Sequence, residues 1–78
     1  MDNQKERILK VMSLVFEVPF EKLNEDSSSD TIESWDSLKH LNLILALEEE
    51  FNIIIPDIEV GNMMNYNLIK LVLQEINY

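Results

Sequence analysis

The sequence contains no cysteine, and its 78 residues include only one glycine, two prolines, one histidine and one tryptophan. Without cysteine there is no disulfide framework and no thiolate metal site, so we expect a cytoplasmic protein rather than a secreted one. A single glycine excludes a glycine-rich phosphate-binding loop. Few glycines and prolines also favour helices with short connections over a β-sandwich, which needs many turns.

Long hydrophobic runs are missing as well. The first residues, MDNQKER, are charged and do not resemble a signal peptide. No apolar stretch is long enough for a transmembrane helix, so we expect no membrane insertion. At this length the chain is expected to be a single domain over residues 1–78.

Positive charge is scarce, because six Lys and Arg stand against fifteen Asp and Glu, for a formal net charge of -9. An acidic surface of this kind repels nucleic-acid phosphates and anionic lipid, and it attracts proteins with basic patches. We therefore expect protein partners, no nucleic acid and a monomeric state. The apolar residues, 46% of the chain, are periodically placed and predict a folded domain.

Catalytic and metal-binding sets are poorly supported. His40 lies three residues after Ser37, but no third group that would align the ring is evident, so we expect His40 on the exposed or partner-facing side. Asp26, Ser28 and Asp30 alternate as in a calcium loop, yet the glycine and glutamate that such a loop needs are missing in both registers. The sequence predicts no enzyme and no metal site, and a solvated acidic loop instead.

Helical periodicity is the main feature that is present. Apolar residues recur at spacings of three and four from Lys5 to Glu17, and Pro19 is expected to end this first helix. A second helix is predicted from about Asp36 or Ser37 to Phe51. A short helix follows Pro56 and closes at Gly61, and a last helix covers Asn65 to Ile76, with Asn65 as its cap. The predicted fold is all-α, a bundle of three main helices and one short one, with a long loop over residues 18–34.

Within that loop, Phe20 and Leu23 are expected to anchor the chain to the core, and the polar segment from Asn24 to Asp30 is expected to be mobile. Ile32 and Trp35 are expected to fold back onto the body. The run of isoleucines at 53–55 has no partner strand, so we interpret it as a loop with its side chains turned inward.

The second helix carries two apolar rows. One is assigned to the core and the other to partial exposure and partner binding, because a single core face does not accommodate both. The core row consists of Leu43 or Ile44, Leu47 and Phe51, and the partner row of Leu38, Leu41 and Leu45.

Ser37 stands at the predicted start of this helix, where serine and aspartate commonly cap the backbone. A helix N-terminus also favours an attached phosphate group. From the residues alone, capping is the favoured interpretation.

Several motifs together resemble the acyl carrier protein family. They are Val18-Pro19, Lys22-Leu23, Asp36-Ser37-Leu38, Ala46-Leu47-Glu48-Glu49-Glu50-Phe51 and Ile55-Pro56-Asp57. The resemblance implies a carrier rather than an enzyme. It implies that Ser37 bears a 4′-phosphopantetheine arm from coenzyme A and that Asp36 belongs to the motif that a phosphopantetheinyl transferase recognises. The arm would hold acyl or aminoacyl cargo as a thioester.

The resemblance also implies a partner surface. Leu38, Leu41 and Leu45 match its apolar positions, and Glu48 and Glu49 match acidic ones that meet loading and acyl-transfer enzymes. The chain departs from fatty-acid-synthesis carriers in having Ser34-Trp35 before the motif and Lys39, His40 and Asn42 after it. This favours a stand-alone carrier of a specialised pathway: polyketide, nonribosomal peptide or surface-saccharide modification. The alternative is a helical interaction module that is never modified.

Overall fold

The computed structural model describes residues 3–77 and contains four α-helices, α1 (Asn3–Phe16), α2 (Ser37–Phe51), α3 (Asp57–Val60) and α4 (Tyr66–Asn77). A 3-10 turn, Phe20–Lys22, lies in the long connection between α1 and α2. No β-strand occurs within residues 3–77. The structure confirms the predicted all-α bundle of three main helices and one short one. No helix of this part of the chain is long and apolar enough to cross a bilayer.

Helix α1 ends at Phe16, earlier than the predicted Glu17 and well before Pro19. Glu17 takes a left-handed conformation with φ 57°. The Val18 N–H then donates to the Ser13 carbonyl at 3.2 Å, and the Ser13 hydroxyl donates to the Val18 carbonyl at 2.6 Å. The left-handed residue and these two bonds end the helix, so the assignment of this role to Pro19 was wrong.

The two long helices α1 and α2 are antiparallel. At one end, Arg7 donates to the Glu50 carboxylate at 2.8 Å and to the Glu50 carbonyl at 2.6 Å, and its guanidinium lies 4.3 Å from the Phe51 ring centroid. At the other end, the Ser34 hydroxyl donates to the Phe16 carbonyl at 2.9 Å. The C-terminal end of α2 and the segment just before its N-terminus are therefore attached to α1.

The core lies between α1, α2 and α4. As predicted, it includes the first row of α2, with both Leu43 and Ile44 buried. Met63 and Tyr66, which were not predicted as core residues, are fully buried beside them. The core residues with no more than 2% exposure are Ile8, Met12, Phe16, Leu43, Leu47, Met63, Tyr66, Ile69 and Leu73.

The connection between α1 and α2 is attached to the start of α4. The Ser29 N–H donates to the Met64 carbonyl at 2.9 Å, and the Tyr66 N–H donates to the Ser27 carbonyl at 3.0 Å. Ser27 is only 5% exposed, and its hydroxyl accepts the Asn24 N–H. These bonds argue against the mobility that was predicted for this segment.

Two apolar side chains of the connecting segments lie differently from the prediction. Leu23, Ile32 and Trp35 are buried as expected, but Phe20 is exposed. Ile54 is also exposed, by 83%, whereas Ile55 is buried. Successive side chains of an extended segment point to opposite sides, so the three isoleucines cannot all turn inward.

The last two helices begin and end close to the predicted residues. The Asn65 carboxamide accepts the Leu68 N–H at 2.8 Å and caps α4, as predicted. Helix α4 buries one face, in which Ile69, Val72 and Leu73 are buried, whereas Leu68 is exposed. Gly61 follows α3 with φ -69°, so glycine's left-handed freedom is not used there.

Candidate functional site

Helix α2 is capped by Asp36, which leaves Ser37 free. The Asp36 carboxylate accepts the Lys39 N–H at 2.8 Å, and the Asp36 carbonyl accepts the His40 N–H at 2.8 Å. Asp36 has extended backbone angles, so the helix begins at Ser37. Ser37 is exposed, and its hydroxyl has no hydrogen-bond partner among the described residues. The cap of α2 is therefore Asp36 and not Ser37.

A shallow groove of about 510 Å³ opens beside Ser37. One wall comes from the start of α2 and the other from the segment between α3 and α4. No site residue was predicted on the second wall, because residues 58–70 carry no motif that fixes their alignment to the family. The lining residues are Trp35, Asp36, Ser37, His40, Leu41, Gly61 and Met64.

Trp35 closes the core at this end of the bundle. Its ring stacks on Phe16 with centroids 4.5 Å apart, and it is 8% exposed. Its indole N–H donates to the His40 Nδ1 at 3.0 Å. Trp35 is thus a packing residue whose edge also lines the groove.

The sequence predicted His40 on the exposed or partner-facing side, but the structure does not leave it free on the surface. It is half-buried, and both of its ring nitrogens have partners. Nδ1 accepts from Trp35, and Nε2 lies 2.7 Å from the carbonyl oxygen of Val60, the last residue of α3. No local pattern indicates this contact, because Val60 is twenty residues away along the chain.

The partner row predicted on α2 is exposed. Leu38, Leu41 and Leu45 expose 66%, 55% and 62% of their surface. They run along the same helix as Ser37, on a side distinct from the buried row. The described residues therefore include an apolar strip that begins one residue after the exposed serine.

The two glutamates predicted beside this strip differ from each other. Glu49 is exposed and has no hydrogen-bond or ion-pair partner in the described part of the chain. Glu48 is half-buried, and one of its carboxylate oxygens accepts the Ile55 N–H at 2.8 Å. Glu48 thus holds the segment after α2, a role that the sequence did not indicate.

Two of the basic residues near α2 are paired. Lys39 forms a 3.1 Å ion pair with Glu17, and Arg7 forms the 2.8 Å pair with Glu50. Within residues 3–77, no group of three or more His, Asp or Glu side chains is arranged to hold a metal ion.

Comparison with known proteins yields no match to a protein-family model. Curated proteins do match. The chain is 37% identical over 78 aligned positions to an acyl carrier protein of Cyanidium caldarium, which covers 94% of this chain and 91% of the relative. It is 43% identical over 58 positions to an acyl carrier protein of Buchnera aphidicola from Schizaphis graminum, at 73% and 72% coverage. The acyl carrier protein of the Tuc7 strain of Buchnera aphidicola from Acyrthosiphon pisum is 42% identical over 59 positions, at 76% and 74% coverage.

Proposed function

The chain belongs to the acyl carrier protein family, and from that premise we propose that Ser37 carries a covalent 4′-phosphopantetheine arm. The protein is a carrier rather than an enzyme. The observation that carries the proposal is the free, exposed hydroxyl of Ser37, in a helix start where Asp36 already supplies the cap.

The surroundings of Ser37 fit such a group. The first-turn N–H groups of Ser37 and Leu38 have no partner among the described residues, and together with the helix dipole they favour a phosphodiester. The neighbouring groove offers apolar surface from Trp35, Leu41 and Met64. The arm supplies a thiol that can hold cargo as a thioester, in a chain that has no cysteine of its own.

Attachment requires an attack by the Ser37 Oγ on a phosphorus of coenzyme A. A new phosphorus–oxygen bond forms, the diphosphate bond breaks, and the adenosine bisphosphate leaves. The Ser37 proton passes to a base of the transferase, since the groups that this chain places around Ser37 include no free base other than the capping Asp36. His40 cannot serve, because both of its ring nitrogens are already bonded.

The partners of the carrier are proposed to be the transferase and enzymes that load and transfer acyl or aminoacyl groups. Leu38, Leu41 and Leu45 offer them an apolar strip, and Glu49 offers a free carboxylate to a basic patch. Glu48 contributes less, because one of its oxygens is bound to Ile55. We place the carrier in the cytoplasm and in a specialised pathway, on the basis of Ser34-Trp35, Lys39 and His40.

Intact mass after incubation with coenzyme A and a broad-specificity phosphopantetheinyl transferase tests the proposal. One phosphopantetheine adduct is expected on the wild type and none on Ser37→Ala. Ser29→Ala is the matched control, because it removes a hydroxyl away from the groove and should still be modified. A modified Ser37→Ala protein would refute the site. An unmodified but folded wild type would instead favour the unmodified interaction module.

The pathway assignment has its own test. The enzymes of fatty acid synthesis should elongate chains on this carrier poorly, compared with their own carrier. Efficient elongation would contradict a specialised pathway without affecting the assignment of Ser37.

A further inference from the structure

His40 connects three parts of the chain at the base of the groove. Its ring lies one turn after Ser37 in α2, accepts from the indole of Trp35 at 3.0 Å and reaches the last carbonyl of α3 at 2.7 Å. The Trp35 and His40 rings are also stacked, with centroids 6.0 Å apart. One side chain thus joins the start of α2, the residue that covers the core and the end of α3.

The partners define the form of the ring. An indole N–H can only donate, so His40 Nδ1 must accept. A carbonyl oxygen can only accept, so His40 Nε2 must carry the hydrogen and donate to Val60. The ring is therefore the neutral Nε2–H tautomer, with both of its polar atoms satisfied.

These contacts lie between the groove and the core. An apolar cargo attached through Ser37 gains free energy by leaving water, and the nearest apolar interior lies beneath Trp35, where Phe16 is 2% exposed. To reach it, the cargo must displace Trp35 or separate α2 from α3. The first breaks the bond to Nδ1, and the second breaks the bond to Val60.

We propose that His40 is a specificity-determining residue that keeps the cargo in the surface groove and out of the core. This inference rests on the proposed arm at Ser37 and adds the class of cargo. A short or polar acyl or aminoacyl group needs no burial and suits such a carrier. A long alkyl chain stays exposed to water on it. Trp35 is also held by its stacking on Phe16, so the bond to Val60 carries most of this role. Among the described residues it is the one hydrogen bond between α2 and α3, the two helices that would have to separate.

Two near-isosteric substitutions separate the two bonds of His40. In His40→Gln the amide nitrogen reaches about as far as Nε2 and can still donate to Val60, while the acceptor for Trp35 is lost. In His40→Asn the amide oxygen can still accept from Trp35, while the donor to Val60 is lost. His40→Ala loses both.

The first measurement uses the unmodified protein. Trp35 is the one tryptophan of the sequence, so its indole N–H gives a single, assigned proton–nitrogen resonance. This resonance should stay near its wild-type position in His40→Asn and move upfield in His40→Gln and His40→Ala. An unchanged resonance in all three variants would overturn the hydrogen-bonded role of His40.

The second measurement uses the protein loaded at Ser37 with a butyryl or a decanoyl pantetheine from the corresponding coenzyme A thioester. The methyl resonances of the core residues Leu47 and Met63 report burial of the cargo. In the wild type and in His40→Gln, the two cargoes should give the same core resonances. In His40→Asn and His40→Ala, the decanoyl group alone should shift them.

Two results would overturn the role of His40. One is a decanoyl chain that shifts the core methyls of the wild type. The other is a decanoyl chain that leaves the core methyls unshifted in His40→Ala. Failure of the underlying function is distinguishable, because intact mass shows before either comparison whether Ser37 has taken the arm.

Discussion

A pair of substitutions should separate the capping role of Asp36 from its proposed role in recognition by the transferase. Its carboxylate caps α2 by accepting the Lys39 N–H at 2.8 Å, and its charge stands beside the proposed attachment site. Replacing an N-cap aspartate with alanine costs about 1 kcal/mol, whereas asparagine is about as good a cap. Asp36→Ala should therefore destabilise the fold, and Asp36→Asn should leave its stability nearly unchanged.

The second-order effects in the asparagine variant oppose each other. Losing the carboxylate removes a favourable interaction with the helix dipole, worth about 0.3–1 kcal/mol for a surface group. It also removes one negative charge from a chain with a net charge of -9, which lowers self-repulsion. We expect the stability of Asp36→Asn to stay within about 0.5 kcal/mol of the wild type. For a domain of this size, the loss in Asp36→Ala corresponds to a Tm lower by roughly 4–8 °C.

Thermal and urea unfolding followed by far-ultraviolet circular dichroism would measure the stability of both variants. The initial rate of phosphopantetheine transfer, followed by intact mass, would measure recognition. If the transferase reads the charge, both variants should be modified more slowly. If only Asp36→Ala is slow, Asp36 acts on the transferase through the cap alone. Equal destabilisation by alanine and asparagine would refute the capping argument.

Two further predictions concern the body of the protein. Leu47 is fully buried, so Leu47→Ala should lower the free energy of unfolding, measured with urea, by about 2–5 kcal/mol. Leu45 is 62% exposed, so Leu45→Ala should stay within about 0.5 kcal/mol of the wild type. Equal losses would contradict the assignment of the two rows. The amides of Ser29 and Tyr66 should exchange with solvent more slowly than that of Glu25, which donates to no residue in the described chain. Equally fast exchange at all three would restore the mobile loop that the sequence indicated.

The helices were predictable because their signals are local. The spacing of the apolar residues in α1, α2 and α4 marks their buried faces, and Asp36 and Asn65 provide caps that depend on residues three positions away. The division of α2 into a buried and an exposed row followed from the excess of leucine over what one face can bury. None of these features requires knowledge of the distant contacts.

Several polar groups have partners that the sequence did not indicate. His40 meets Val60, Glu48 meets the Ile55 N–H, and Ser29 meets Met64. Each contact joins segments whose relative position depends on the packing of the whole bundle. A polar residue that the sequence predicts as solvent-exposed can therefore stabilise the fold through a hydrogen bond to another segment. Composition could not distinguish these residues from free surface groups.

Ser37 depends on both kinds of information. The motif marked the residue, but a serine at a helix start is more often a cap than a site of attachment. The geometry changes this balance, because Asp36 takes the cap and the Ser37 hydroxyl keeps no partner in the described chain. The membership of the family and the free hydroxyl are independent observations, and both support the proposal for Ser37.

Lys39 and His40, which depart from the family pattern after Ser37, also make contacts that stabilise the fold. Lys39 pairs with Glu17 at 3.1 Å, and His40 joins Trp35 to Val60, so both residues hold the first turn of α2 to its neighbours. An enzyme that recognises free carboxylates at these positions would meet a lysine and a histidine that are already engaged. We therefore expect the front of α2 to offer a partner mainly Leu38 and Leu41, and we propose that acidic recognition falls to Glu49, about 18 Å farther along the helix from Ser37. Partners of this carrier should accordingly place an apolar surface near Ser37 and their basic residues at the far end of α2.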